Sequence, residues 1–151
     1  TGDMSEAMLG FTTFGGDHLS MYNINIGVPK TLVRALVLHF AWRIPRISSI
    51  LTSIATTPIS PELIPGKQET ETIVGSYKAN DFAIYHTIVS NMDRGALSSL
   101  LKMVGLHLNL DDFYRRITNS QFKRNCSADG VPVTRCFVDD FILPSDCKNI
   151  F

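Results

Sequence analysis

The chain has 151 residues, of which 44% are apolar and 19% are charged, and its 14 basic residues are balanced by 14 acidic ones. This composition is that of an ordinary folded domain and excludes a disordered or collagen-like chain. Zero net charge argues against a nucleic-acid coat protein, and no apolar run reaches the roughly 18 residues of a membrane span. Three widely spaced cysteines fit neither a disulfide framework nor a zinc site, so we expect reduced thiols and a cytoplasmic protein.

The spacing of apolar residues predicts a mostly α-helical chain with about five helices and few short strands. The first helix covers residues 30–42, with Pro29 at its first helical position, where the missing N–H costs nothing. Its apolar residues cover most of its circumference, which is typical of a helix that is buried or lies in an interface. The other four cover residues 47–55, 80–89, 93–104 and 109–117, the last three with Asn80, Asp93 and Asn109 as N-caps.

The segments outside these helices are less regular. Residues 5–10 can form one or two helical turns capped by Ser5. Residues 57–77 show no periodicity and are rich in Pro and Gly, so they predict one long central loop. This loop could be a lid over a bound substrate or a disordered connector. One or two short extended segments are predicted within residues 131–143.

Two clusters near the N-terminus could carry chemistry. The hydroxyl of Thr1 and the carboxylates of Asp3 and Glu6 share one turn and could meet Mg²⁺ or a nucleotide ribose. A plain capped turn is the alternative. Lys30 lies in the first turn of its helix, the unfavourable end for a cation, which indicates an anion nearby. Simple solvent exposure is the alternative there.

A third cluster ends the last predicted helix. Lys123 and Arg124 could bind a phosphate or carboxylate, or could complement the negative end of the helix dipole. Aromatic residues are not interleaved with these cations, so a platform for single-stranded nucleic acid is not expected. The four histidines share no metal-ligand spacing.

Several short motifs follow one another along the chain. They are Thr1-Gly2-Asp3-Met4-Ser5-Glu6, Gly16-Asp17-His18, Val28-Pro29-Lys30-Thr31-Leu32-Val33, Thr57-Pro58-Ile59-Ser60-Pro61-Glu62-Leu63, Gly75-Ser76-Tyr77, Asp81-Phe82, Ser120-Gln121-Phe122-Lys123-Arg124 and Leu143-Pro144-Ser145-Asp146. Their order and wording resemble the NAD synthetase family over essentially the whole chain. The residues from 16 to 23 resemble the bacterial glutamine-dependent branch of that family.

The resemblance implies an α/β fold of the ATP pyrophosphatase type and a two-step reaction. The nicotinate carboxylate of deamido-NAD attacks the α-phosphate of ATP and expels pyrophosphate, and ammonia supplied from glutamine then displaces AMP. The implied cofactors are ATP and Mg²⁺, and the implied partners are an upstream glutaminase domain and a second copy in a homo-oligomer, with no nucleic acid and no membrane. The family's pyrophosphate-cradling Ser-Gly-Gly-x-x-Ser loop does not occur here. Residues 1–151 therefore resemble the C-terminal part of one synthetase domain, and the isolated chain is expected to be inactive.

The resemblance also assigns roles to individual residues. Catalytic roles fall to Asp17 and Lys30, which would flank the reacting nicotinate, and to Lys123, which would also bind substrate near its carboxylate. ATP contacts fall to Thr1, Thr57 and Ser60. The deamido-NAD site would be lined by Phe11, Thr12, Thr13 and Phe14, with Glu6 near the dinucleotide and at the Mg²⁺.

Two alternatives stay open beside this hypothesis. The chain could be a non-catalytic helical module for dimerisation or interaction, as the broadly apolar helix 30–42 suggests. It could also belong to another ATP pyrophosphatase-type ligase that adenylates a different carbonyl.

Overall fold

The computed structural model of the chain describes residues 2–58 and 70–136. Over these residues the chain forms α-helices and turns, with no β-strand. The α-helices are α1 (Met4–Leu9), α2 (Lys30–Arg43), α3 (Ser48–Thr56), α4 (Thr70–Val74), α5 (Tyr77–Ile88), α6 (Arg94–Met103), α7 (Leu110–Asn119) and α8 (Gln121–Arg124), with 3-10 turns at Asp17–Leu19 and Pro45–Ile47. The prediction of a mostly helical chain is confirmed, because each of the five predicted helices is present.

The helix α1 is capped by a different residue from the one predicted. Asp3, not Ser5, is the N-cap of α1, and its carboxylate accepts from the amide of Glu6 at 3.0 Å. The amide of Asp3 in turn donates to the Glu6 carboxylate, also at 3.0 Å, which completes a capping box. Ser5 is wholly buried inside the helix, and its hydroxyl contacts a residue of α5.

The helix α5 also begins earlier than predicted. Its N-cap is Ser76, whose hydroxyl accepts from the amide of Ala79 at 3.3 Å, and the predicted cap Asn80 lies within the first turn. The buried amide group of Asn80 donates to the carbonyls of Val74 and Ser76, at 3.0 Å each. Asn80 therefore joins the end of α4 to the start of α5.

A short helix interrupts the predicted central loop, and the predicted extended segments fall partly outside the described residues. The helix α4 occupies Thr70–Val74, inside the predicted loop, while residues 59–69 lie outside the described residues. Residues 131–136 form no strand, and residues 137–143 again lie outside the described part. The hydroxyl of Thr134 donates to the carbonyl of Gly27 at 2.7 Å and accepts from the amide of Cys136 at 3.1 Å. These bonds satisfy groups that a strand would have paired with a neighbour.

The short helix α1 lies at the centre of the hydrophobic core. It packs against α2, α5, α7 and α8, and five of its six residues are buried. The largest fully buried side chains around it are those of Met4, Met8, Ile84, Leu97, Phe113 and Ile117. Because both ends of α1 emerge from this core, the residues just before and after it are held in place.

The helix α2 is far less buried than its composition suggests. Among its 14 residues only Ala41 is buried, while the side chains of Phe40 and Trp42 are 51% and 75% exposed. The neighbouring α3 adds the exposed apolar residues Ile50 and Ile54. Within the described chain α2 is therefore not a core helix. No helix of the described residues combines the length and apolarity needed to cross a membrane.

The glycine after α1 allows a direct test of this packing. Gly10 has a φ of 84°, and a Cβ there would lie 2.9 Å from Cβ of Ser120, whereas Gly15 has a φ of 75° and nothing within 4 Å. We expect Gly15→Ala to lower the free energy of unfolding by about 1 kcal/mol through left-handed strain. Gly10→Ala should cost about 1–2 kcal/mol more through overpacking. Urea unfolding measures both losses of free energy. Equal losses would show that Ser120 moves away from the added Cβ without destabilising the fold.

Candidate functional site

The first turn of α2 meets the N-terminus of α1 in a compact ion cluster. The ammonium of Lys30 lies 2.5 Å from Oδ2 of Asp3 and 2.6 Å from Oε1 of Glu6. Its side chain is only 19% exposed, and that of Asp3 is 5% exposed. The anion that the position of Lys30 indicated is therefore present within the chain itself, supplied by two carboxylates of the capping box.

The start of α2 is held by side chains from two other helices. Pro29, predicted at the first helical position, is instead the N-cap of α2 and makes no side-chain capping bond. The hydroxyl of Ser5 accepts from the amide of Lys30 at 2.8 Å, and it donates to Oδ1 of Asp81 at 2.5 Å. The other carboxylate oxygen of Asp81 accepts from the amide and the hydroxyl of Thr31, at 2.8 and 2.7 Å. Ser5 and Asp81 lie 25 and 50 residues from their partners in α2, so no local sequence signal indicates their role here.

Burial shapes the charges of this cluster. Burial, together with the charge of Glu6, raises the pKa of Asp3 to about 6, against the opposing effect of Lys30. Burial also raises the pKa of Asp81 above its usual range, despite the hydrogen bonds from Ser5 and Thr31. Burial alone would lower the pKa of Lys30, but the carboxylates of Asp3 and Glu6 outweigh it and the pKa is raised. The cluster therefore keeps Lys30 charged and moves the pKa of the Asp3 carboxyl towards neutral pH.

The aromatic ring of Tyr77 closes one side of the cluster. The Lys30 ammonium lies 5.7 Å from the ring centroid, within the range of a cation–π contact. The hydroxyl of Tyr77 is buried and has no hydrogen-bond partner among the described residues. Burial and the nearby carboxylates, first that of Glu6, raise the pKa of Tyr77 far above its usual value. This hydroxyl is therefore a neutral donor next to a group of acids.

The predicted catalytic residue Asp17 lies close to Glu6. Its carboxylate accepts from the amide of Thr13 at 2.9 Å. Gly2 lies between the two acids, because a Cβ on it would be 3.3 Å from Oε2 of Glu6 and 3.7 Å from Oδ2 of Asp17. The same Cβ would be 2.7 Å from the methyl group of Thr12. The structure therefore brings Asp17, Glu6 and Thr12 together around Gly2.

Lys123 is engaged with the backbone of the segment that follows α1. Its ammonium donates to the carbonyls of Gly10 and Thr12, at 2.7 and 2.9 Å. Arg124 is buried, and its guanidinium donates to the carbonyls of Met8 and Ile117, at 3.3 and 2.7 Å. Burial lowers the pKa of Arg124 to about 10. The sequence left two roles open for Arg124, binding of an anion and complementing the negative end of a helix dipole. The structure fits the second role, because both carbonyls lie in the last turns of α1 and α7.

The four residues predicted to line the deamido-NAD site face different surroundings. Phe11 packs against the core and Thr12 is buried, whereas Thr13 and Phe14 are exposed. The ring of Phe14 lies 5.5 Å from that of Phe122 and 5.2 Å from that of His18. Phe14 and Phe122 together present an exposed aromatic pair beside Lys123.

A cavity of about 420 Å³ lies between α2, the end of α3 and the start of α5. Its lining includes the predicted ATP contact Thr57 together with Lys30 and Thr31. Arg34 and Lys78 add two positive charges, with Glu71 as an acid, and apolar side chains complete the lining. The charge balance and the apolar walls suit an anionic ligand with an apolar part. A larger cavity of about 570 Å³ between α4 and α7 contains none of the predicted site residues.

The described residues around Glu6 do not fit a Mg²⁺ held by the protein. Oε1 of Glu6 accepts from the Lys30 ammonium at 2.6 Å, and Oε2 accepts from the Asp3 amide at 3.0 Å. Over the part of the chain that the structure describes, no group of three or more His, Cys, Asp or Glu could hold a metal ion. A protein-bound Mg²⁺ needs near-octahedral oxygen ligands, and Lys30 occupies the cationic position beside Glu6. The predicted ATP contacts Thr1 and Ser60 lie outside the described residues.

Comparison with known proteins confirms the resemblance found in the motifs over 58% of the chain. No family model matches the chain. A protein of Mycobacterium leprae named glutamine-dependent NAD(+) synthetase is 42% identical over 100 residues, covering 58% of this chain and 14% of the relative. Proteins of the same name from Mycobacterium bovis and Mycobacterium tuberculosis are 40% identical over 99 residues, with the same coverage. The chain is similar to these glutamine-dependent NAD(+) synthetases over this stretch. The match spans only 14% of the length of these synthetases.

Proposed function

We propose that this chain is part of a glutamine-dependent NAD(+) synthetase and contributes residues to the site where deamido-NAD is amidated with ATP. The observation that carries the proposal is the identity of 40–42% with proteins of that name. The arrangement around α2 supports it, because one cavity is lined by both Lys30 and Thr57. These two residues lie 27 positions apart in sequence, and the proposal assigns both of them to the ATP phosphates at the reacting end of the substrate.

In this proposal the cavity beside α2 takes the phosphates of ATP. Negative charge develops on phosphate oxygens when the nicotinate carboxylate attacks, and fixed cations stabilise that charge best when they need not reorganise. Lys30 meets this requirement, because its two carboxylate partners hold it in place and in its charged form. Arg34 and Lys78 supply further positive charge at the cavity wall.

The dinucleotide is assigned to the segment after α1. Asp17 flanks the reacting nicotinate end, and the exposed Phe14 offers an aromatic face to a planar ring. Lys123 serves this site through the carbonyls of Gly10 and Thr12, which it holds in the resting protein. Its ammonium has three donors, so one N–H is left for a substrate carboxylate.

Calorimetric titration of the chain with ATP and with deamido-NAD tests the proposal. We expect ATP to bind, and Thr57→Ala to weaken that binding about threefold to tenfold, the cost of about one hydrogen bond. Thr52→Ala is the matched control, because Thr52 lies exposed on α3, whose C-cap is Thr57, and does not line the cavity. Equal dissociation constants for the two variants, or no binding of either ligand, would contradict the proposed site. We expect no NAD formation by the chain alone, because it lacks a Ser-Gly-Gly-x-x-Ser loop.

Two other roles differ in what they predict. A ligase that adenylates another carbonyl would bind deamido-NAD no better than other carboxylate substrates, which competition titration decides. A dimerisation role is favoured by a separate observation, the exposed Phe40 and Trp42 on α2. In that case a second copy of the chain covers this face, and a monomeric sedimentation coefficient at every concentration would contradict it. The two roles can coexist with the proposed synthetase site.

A further inference from the structure

The helix α2 lacks the local cap that most helices carry. The first amides of a helix have no partner within it, and an N-cap side chain usually accepts one of them. Pro29 at this position has no such side chain, and its carbonyl accepts only from the amides of Leu32 and Val33. The amides of Lys30 and Thr31 are satisfied from outside, by Ser5 of α1 and Asp81 of α5.

These two external groups are themselves fixed. Ser5 is 0% exposed and Asp81 is 7% exposed, and they are joined to each other by a hydrogen bond of 2.5 Å. The Asp81 carboxylate thus accepts from the hydroxyl of Ser5 and from both the amide and the hydroxyl of Thr31. Its negative charge lies at the positive end of the α2 dipole, where it offsets the unfavourable position of Lys30.

The external cap and the ion cluster involve the same residues. Ser5 lies between Asp3 and Glu6 in sequence, and all three belong to the short helix α1 or its N-cap. Ser5 binds the backbone amide of Lys30, while Asp3 and Glu6 bind its ammonium. One turn of α1 therefore holds both ends of the same lysine, and Asp81 locks that turn to α5.

We propose that Asp81 and Ser5 are positioning residues for Lys30, acting as a cap supplied from other helices that fixes the start of α2 and so the location of its ammonium. The proposal deepens the proposed function, which assigns Lys30 to the phosphates. It does not depend on turnover, because it concerns the geometry of Lys30 in the resting protein.

The reactivity of the Lys30 amine tests this role directly. Trace acetylation with acetic anhydride at about pH 9, below the ordinary lysine pKa, followed by mass spectrometry measures each lysine in the folded chain. In the native chain Lys30 should react more slowly than the exposed Lys102. In Asp81→Asn we expect Lys30 to leave its carboxylates and to react faster, about tenfold for each pKa unit that it loses. Lys102 should keep its rate and so report on global unfolding.

A second substitution separates positioning from core packing. Pro29→Ser introduces a side chain that can cap α2 locally. Combined with Asp81→Asn, it should return the Lys30 rate towards the native value, which it could not do if Asp81 were only a packed core residue. Asp112→Asn is the matched control, because Asp112 pairs with Arg115 and Arg116 on α7 and should leave the Lys30 rate unchanged.

The outcomes are distinct. An unchanged Lys30 rate in folded Asp81→Asn, or a raised rate that Pro29→Ser does not lower, would overturn the proposal. Should Asp81→Asn fail to fold, Ser5→Ala decides, since it removes one acceptor and must raise the Lys30 rate. None of these measurements uses ATP or deamido-NAD, so a failure here leaves the ATP titration as an independent test of the proposed function.

Discussion

Replacing Lys30 by methionine is expected to lower the free energy of unfolding by about 3 kcal/mol at neutral pH, because two partly buried carboxylates lose their counter-charge. The ammonium lies 2.5 Å from Asp3 and 2.6 Å from Glu6, and no other cation pairs with either acid among the described residues. Methionine keeps most of the side-chain volume, so the change isolates the charge. Urea unfolding measures the loss. Lys102→Met, an exposed change in α6, is the control and should alter stability by less than about 0.5 kcal/mol.

The pH dependence of this loss has a definite sign. The pKa of Asp3 is about 6 in the folded chain, above its ordinary value of 3.8, so the folded state binds the proton more tightly. Between these two values the contribution of Asp3 to stability falls as the pH rises. Without Lys30 the folded pKa of Asp3 rises further, so this decline becomes larger and extends to higher pH. The deficit of Lys30→Met should therefore be smaller at pH 5 than at pH 8. A deficit that does not vary with pH would mean that lost packing, not lost charge, is its cause.

Replacing Arg124 by methionine is expected to cost a similar amount, about 3 kcal/mol, because hydrogen bonds from a charged donor contribute about 2 kcal/mol each. The guanidinium donates to the carbonyl of Ile117 and the hydroxyl of Ser120 at 2.7 Å, and to the carbonyl of Met8 at 3.3 Å. It thereby joins the ends of α1, α7 and α8. Ser120 also donates to the carbonyls of Met8 and Ile117, which limits the loss.

Two further variants make the Arg124 prediction specific. Arg124→Lys keeps the charge but loses the planar fork, so it should recover only part of the stability. Arg115→Met removes a cation of α7 whose side chain is 61% exposed, and should change stability by less than about 1 kcal/mol. Urea unfolding measures all three. Hydrogen exchange in the segment after α1 should accelerate in Arg124→Met, and native exchange rates there would contradict the proposed role of the Arg124 guanidinium in joining these helix ends.

The sequence by itself determined the helical character of the chain and its similarity to NAD(+) synthetases. Apolar residues at helical spacing and the caps Asp93 and Asn109 located four of the five main helices to within a few residues, because these signals are local. The motif order identified the relationship that the mycobacterial synthetases confirm. It also singled out Lys30, since a cation in the first turn of a helix conflicts with the dipole.

Only the tertiary structure decided which groups offset the unfavourable position of Lys30 in the first turn of α2. The caps of α1 and α5 were wrongly predicted, because Ser5 and Asn80 are drawn to partners in other helices instead of capping their own. The role of Asp81 could not be found in the sequence, since its partners lie 50 and 76 residues away. Periodicity and capping act over one or two helical turns, whereas a buried carboxylate bonds to whatever donors the packing of α1, α2 and α5 brings to it. That packing also determined that two acids of the chain itself, Asp3 and Glu6, meet the ammonium of Lys30.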